Sequence, residues 1–230
     1  MNVPMTKKSA IIDTFIAPAC YDDIEIIYQD EHILLINKPT KLLSLSGRNP
    51  LNKDSVHYRI VQDFPTANLL HRLDFGTSGL LLLALNKAVN TTLMKQFQAR
   101  TIEKTYTAIL SGHLTKTEGS IKFPIAKDPP NFPKMKICAE QGKLAQTQFK
   151  LLAYEEVPQS SRVLFTPVTG RTHQLRLHAQ KIGHPILGCD LYGSEHTYKA
   201  VSRLMLHATS LNFDHPITGD RVCWHSPCPF

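Results

Sequence analysis

The apolar positions of this chain fall into short runs, and their spacing predicts a strand-rich fold. Residues 24–28 and 32–36 are β-rich apolar runs, and Asn37-Lys38-Pro39 stops the second. Residues 80–85 form an unbroken apolar run between Gly79 and Asn86, which is the pattern of a strand buried on both faces. Asn86 then caps a helix predicted over residues 87–99, where Val89, Leu93 and Phe97 recur at every fourth position as one apolar stripe. Further strands are expected at residues 106–110, 120–125, 147–153 and 163–168. Residues 169–182 read as a second helix, with Leu175, Ala179 and Ile182 as its apolar stripe and Gly183 as its stop. Residues 211–214 and 221–224 flank a Thr218-Gly219-Asp220 turn and predict a closing hairpin.

Residues 126–144 carry three prolines, Gly142 and the lysines Lys127, Lys134, Lys136 and Lys143. They read as a long basic loop, serving either as a solvated connection or as a nucleic-acid contact. The chain has no internal repeat and no low-complexity segment. Strict strand–helix alternation is missing, so the expected class is α+β, a mixed or antiparallel sheet flanked by helices and loops. Residues 1–20 read as a flexible tail and residues 21–230 as one domain.

Composition narrows the class of function. The 230 residues are 42% hydrophobic and 20% charged, which excludes disorder, collagen and coiled coil. The longest apolar run is far too short to span a bilayer, and no signal peptide follows Lys7 and Lys8. The five cysteines are odd in number and scattered, with no CxxC. That pattern argues against a disulfide framework or a structural zinc and suits the reduced thiols of the cytoplasm. A net charge of +7 favours an acidic partner, nucleic acid being the commonest. The alternative is a basic enzyme whose charge only keeps it soluble.

Three segments carry candidate chemistry. In His71-Arg72-Leu73-Asp74-Phe75-Gly76-Thr77-Ser78-Gly79, a carboxylate precedes a turn and then the buried run, a suitable place for a nucleophile or a base. The alternative is a local Asp–Arg ion pair that shapes the turn. The HR-x-D and DFG strings here share one aspartate and no Gly-rich loop precedes them, so a protein kinase is excluded. In Thr169-Gly170-Arg171-Thr172-His173-Gln174-Leu175-Arg176-Leu177-His178, helical spacing places His173 and Arg176 on one face. Arg171 and Thr172 would then stand at the helix start, where free N–H groups favour phosphate. A solvated basic face is the alternative. His173 and His178 point about 140° apart on a helix, which argues against zinc. In Lys104-Thr105-Tyr106, strand spacing puts Lys104 and Tyr106 on one face, suited to stacking on a base or, alternatively, to a core tyrosine with a wet hydroxyl.

Together these segments resemble the RluA family of pseudouridine synthases. The resemblance also rests on Asn37-Lys38-Pro39, Gly183-His184-Pro185-Ile186-Leu187-Gly188 and Leu206-His207-Ala208, in the family's order. It is strongest to the dual-specificity member through Pro130-Asn131-Phe132-Pro133-Lys134 and Gly142-Lys143-Leu144-Ala145-Gln146-Thr147. The resemblance implies a single catalytic domain without an S4-type RNA-binding domain, acting as a monomer in the cytoplasm without metal or organic cofactor. It implies isomerisation of RNA uridines to pseudouridine, at uridine 746 of 23S rRNA and uridine 32 in the tRNA anticodon stem-loop. The alternatives are a single-target synthase and a non-catalytic RNA-binding scaffold. Asp74 matches the essential aspartate, which adds to C1′ or removes the 2′ proton. Arg176 matches its basic partner, and Tyr106 matches the tyrosine that stacks on the target uracil. Arg72 matches the arginine that fills the gap left by the flipped base. His71, Lys104, Arg171, His173, Gln174 and Leu175 are expected to contact RNA.

Overall fold

The structure is a computed structural model and describes residues 15–230. The strands are β1 (Glu25–Gln29), β2 (Ile33–Lys38), β3 (Asn68–Leu69), β4 (Ser78–Ala84), β5 (Glu103–Ser111), β6 (Glu118–Lys122), β7 (Ile125–Lys127), β8 (Met135–Ile137), β9 (Gln146–Glu156), β10 (Gln159–Pro167), β11 (Leu206–Asp214) and β12 (Arg221–His225). The helices are α1 (Val56–Ile60), α2 (Lys87–Ala99), α3 (Gln174–Lys181) and α4 (Glu195–Lys199). Ten strands form one mixed sheet in the order β1-β2-β4-β11-β5-β10-β9-β6, with β3 beside β4 and β12 beside β11. The only parallel pair among the described strands is β4 with β11, joined at His207↔Ser78 and Ala208↔Gly79.

Alternation explains why β2 and β4 are apolar throughout. Successive side chains leave opposite faces of a strand. Ile33, Leu35, Leu80 and Leu82 enter the cluster under α2, with Val89 and Leu93. Leu34, Ile36, Leu81 and Leu83 enter the cluster under α1, with Val56 and Ile60. All eight strand residues are at most 1% exposed, and truncating such a leucine to alanine costs about 2–5 kcal/mol. A third cluster fills the other half of the sheet, where Val163 and Phe165 of β10 meet Leu175, Leu177 and Ala179 of α3.

Gly79 lets the two halves meet. Its φ is +110°, and a Cβ there would sit 2.3 Å from the Ala208 carbonyl oxygen. Only glycine allows the backbones of β4 and β11 this approach.

Three expectations are revised. The tail does not run free to residue 20. Ala17 N donates to Asn52 Oδ1 at 2.8 Å, Asn52 Nδ2 donates to the Phe15 carbonyl at 2.7 Å, and Phe15 stacks edge-on against Phe75. The rest of that expectation, residues 1–14, lies outside the described residues. The basic stretch 126–144 is a small hairpin rather than a plain loop, for β7 and β8 pair through Ile125↔Ile137 and Lys127↔Met135. The second helix begins at Gln174, because His173 adopts a left-handed conformation with φ 55° and ψ 18°. The helix at 87–99 stands as read, with the Asn86 side chain accepting from Val89 N at 3.0 Å. Among the described residues no helix is long and apolar enough to cross a membrane.

Candidate active site

The loop between β3 and β4 carries Asp74, and it is fastened from below. Ser44 Oγ donates to the Leu73 carbonyl at 2.7 Å and accepts from Leu73 N at 3.1 Å. Thr40 Oγ1 donates to the Gly76 carbonyl at 2.7 Å, and Thr77 N closes the turn onto the Asp74 carbonyl. Beneath the loop lies Lys38, fully buried, donating to the carbonyls of Pro39 (2.8 Å), Leu42 (2.6 Å) and Phe75 (3.3 Å). Three carbonyls match the three N–H bonds of an ammonium. Burial pushes the Lys38 pKa down to about 7, against the pull of Cys20 and Asp74. Lys38 had no assigned role in the sequence, yet alternation along β2 puts it on the buried face with Leu34 and Ile36.

Asp74 faces the start of α3. Arg176 Nη1 stands 3.5 Å from Asp74 Oδ2, and His173 Nε2 stands 3.9 Å from Asp74 Oδ1. Arg176 is 4% exposed, and three further neighbours hold it. Nη2 donates to Asp190 Oδ1, Nε to Cys189 Sγ at 3.3 Å, and the guanidinium lies over the Tyr192 ring at 5.5 Å. Burial disfavours its charge, but Cys189, Asp74 and Asp190 outweigh that and raise its pKa above the ordinary arginine value. The arginine therefore stays a cation. Tyr192 and Asp190 are neighbours of the site with no local signal in the sequence, because they lie beyond α3 in the segment that follows Gly188.

Tyr106 lies on β5, opposite Ala208 on one side and Phe165 on the other. Burial, and then the charge of Asp74, raise its pKa well above the usual phenol value. It is neutral and shares the electrostatic environment of Asp74.

The remaining sequence candidates divide. Arg72 is exposed and makes no hydrogen bond or ion pair among the described residues, so it is available to a ligand. Lys104 is half-buried over the Phe97 ring at 5.5 Å, 3.7 Å from where a Cβ on Gly170 would be, and burial lowers its pKa. Arg171 donates from Nε to the Leu144 carbonyl at 3.1 Å. His71 Nε2 accepts from Leu82 N at 3.3 Å, and burial takes its pKa down to about 3. Gln174 is wholly engaged. Its Oε1 accepts from Thr169 Oγ1 and Arg171 N, while its Nε2 donates to the Gln146 carbonyl and Thr147 Oγ1. Leu175 is in the core beneath. Among the described residues no three His, Cys, Asp or Glu side chains converge to hold a metal.

The arrangement is a partly exposed carboxylate facing a buried, permanently charged guanidinium, with a neutral tyrosine that feels its charge and an exposed, unbonded arginine two residues before it in the chain. That suits a reaction in which an anion must be kept ready beside a centre that develops positive charge.

Residues 32–181 match the RNA pseudouridylate synthase family. The dual-specificity RNA pseudouridine synthase RluA of Yersinia pestis is 48% identical over 194 residues, covering 84% of this chain and 94% of its own. The protein of that name from Escherichia coli K12 is 44% identical, covering 89% of this chain and 93% of its own. Among solved structures, human RNA pseudouridylate synthase domain containing 1 superposes with a TM-score of 0.77 at 32% identity, covering 93% of this chain and 86% of that one. The family match over residues 32–181 and the 48% identity over most of both chains show that the chain belongs to the RluA family of RNA pseudouridine synthases.

Proposed function

We propose that this RNA pseudouridine synthase works through Asp74, with Arg176 as its counter-charge and Tyr106 as the platform for the target uracil. The observation that carries the assignment is the approach of Arg176 Nη1 to Asp74 Oδ2 at 3.5 Å, a buried guanidinium against a partly exposed carboxylate. The reaction breaks the N1–C1′ bond, turns the uracil and joins C5 to C1′. C5 loses a proton and N1 gains one, so substrate and product are isomers. Whether the carboxylate adds to C1′ or removes the 2′ proton, it must be ionised, and Arg176 favours that form.

A uridine inside a folded loop is reached only when it swings out, at a cost of about a few kcal/mol. Arg72, planar, exposed and unbonded among the described residues, fills the vacated stack in this reading. The net charge of +7 supplies the salt-dependent hold on phosphates. The relatives are named dual-specificity RNA pseudouridine synthases, and with the resemblance seen in the sequence this supports two substrates, a loop of 23S rRNA and the tRNA anticodon stem-loop. Five free cysteines suit the cytoplasm, and the enzyme acts there as a monomer.

Release of tritium from RNA carrying 5-tritiated uridine tests the reading. Wild-type protein should release label from both transcripts. Asp74→Asn should release none, while its RNA affinity stays within roughly tenfold because the phosphate contacts remain. Binding without release would leave only an RNA-binding scaffold, and release from one transcript alone would make the enzyme single-target.

A further inference from the structure

Beside the catalytic pair, one tyrosine hydroxyl joins three parts of the chain. Tyr192 is 7% exposed. Its oxygen lies 2.8 Å from Met135 N on β8 and 2.8 Å from His173 Nδ1 at the start of α3. We infer that Tyr192 is a positioning residue for the reaction, whose hydroxyl fixes the proton of His173 on Nε2 so that the imidazole presents an N–H to Asp74.

The argument is a count of protons. A backbone N–H can only donate, so Met135 takes a lone pair of the tyrosine oxygen. Among the described residues the hydroxyl's own proton has one acceptor in reach, His173 Nδ1. To accept it, Nδ1 must be bare, and a neutral imidazole then carries its proton on Nε2. That nitrogen faces Asp74 Oδ1 at 3.9 Å.

The charged and titratable neighbours of His173 are Asp74, Arg176, Asp190 and Tyr192. Burial lowers the histidine's pKa, Arg176 adds to that, and Asp74 and Asp190 oppose it. Burial holds Tyr192 up at about 12, so both groups stay neutral across the working range.

The backbone supports a functional role. His173 is one of three non-glycine residues with positive φ among the described residues. Such conformations cost of order 1–3 kcal/mol and collect at active sites. Here the left-handed turn accompanies a ring that is only 11% exposed and reaches both Tyr192 and Asp74.

The result is a carboxylate faced on both sides. Arg176 serves Oδ2, and His173 stands ready for Oδ1. At 3.9 Å the second contact is too long for a hydrogen bond. Catalytic hydrogen bonds are often long before substrate binds, and a shift of about 1 Å would make this one. With the proton on the other nitrogen, a bare Nε2 lone pair would face a carboxylate and push it away.

The inference rests on the role of Asp74 proposed above, and the test separates the two. Tyr192→Phe keeps the ring over Arg176 and removes only the hydroxyl. Nitrogen-15 NMR of histidine-labelled protein should show the His173 proton on Nε2 in wild type and a shift toward Nδ1 in Tyr192→Phe. The kcat for tritium release should fall about tenfold to a hundredfold, the size of loss seen when a hydrogen-bond partner that orients a functional histidine is removed, with RNA affinity unchanged. Because the substitution also frees Met135 N, His173→Asn is the second variant. Asparagine accepts the left-handed conformation but is too short to reach Asp74, so it should lose as much, and the double variant no more than either. A wild-type proton on Nδ1, a Tyr192→Phe enzyme with wild-type kcat, or additive losses in the double variant would each overturn the inference. A wild-type enzyme that releases no label would instead overturn the Asp74 role, while the NMR still decides the tautomer.

Discussion

Arg176 and Asp74 are 102 residues apart in sequence, and their side chains meet at 3.5 Å. The arginine is buried, while the aspartate keeps 27% of its side chain in solvent. Removing the guanidinium leaves Asp74 and Asp190 without their counter-charge. Arg176→Ala should therefore lose about 2–4 kcal/mol in urea unfolding, below the full value for a buried pair because both carboxylates keep some solvent. Arg176→Lys should recover most of that stability. Its point charge cannot serve Asp74, Asp190 and Cys189 together, so tritium release should still fall about a hundredfold.

Arg72 offers the opposite case. It is exposed and unbonded among the described residues, so Arg72→Ala should leave stability within about 0.5 kcal/mol. If the guanidinium stands in for the extruded base, the loss belongs to structured RNA. Turnover of a folded stem-loop should drop about tenfold or more, against roughly threefold or less for an unstructured oligonucleotide that has no stack to refill. Equal losses on both substrates would make Arg72 a phosphate contact only.

Lys38 predicts a pH dependence of stability. In the unfolded chain it keeps its proton up to about pH 10.5, whereas in the fold burial brings its pKa to about 7. Between those values the unfolded state binds more protons, so unfolding free energy should rise with pH from about 7 to about 10.5. Below pH 7 both states are protonated and this contribution is flat. Lys38→Met should abolish that rise when its urea curves are compared with wild type from pH 6 to pH 10. It should also loosen the loop that carries Asp74 by orphaning the Phe75 carbonyl, lowering turnover.

How much of this was legible in the sequence depended on range. The helix at 87–99 could be read because its signals are local: Asn86 at the cap and an apolar residue at every fourth position. The alternation of β2 and β4 was equally local. The start of α3 was misplaced because nothing in residues 169–174 marks the left-handed turn at His173, which is bound up with contacts to Tyr192 and Asp74. The hairpin within 126–144 was missed because β7 and β8 have three residues each, too few for a period to register. The Arg176–Asp74 pair could not be inferred from spacing at all, and only likeness to a family placed the two together. Gln174 and His71 are expected at the ligand because they stand inside the motifs that carry the resemblance, whereas in the fold Gln174 bonds to Thr169, Arg171, Gln146 and Thr147, and His71 accepts from Leu82 N.

Gly79 gives a stability prediction. Gly79→Ala forces a methyl to 2.3 Å from a backbone oxygen at a φ that alanine avoids. The variant should lose at least about 3 kcal/mol in urea, and activity should vanish with folded structure rather than before it.

That parallel junction of β4 and β11 has a wider consequence. Asp74 lies on the loop before β4, on one side of it, and Tyr106 and Arg176 lie on the other, with Tyr106 packed against apolar clusters of both halves. If the three act together as proposed, neither flank does the chemistry by itself. Turnover is thus a report on whether the two halves have docked, and in a refolding experiment it should be the last property to return.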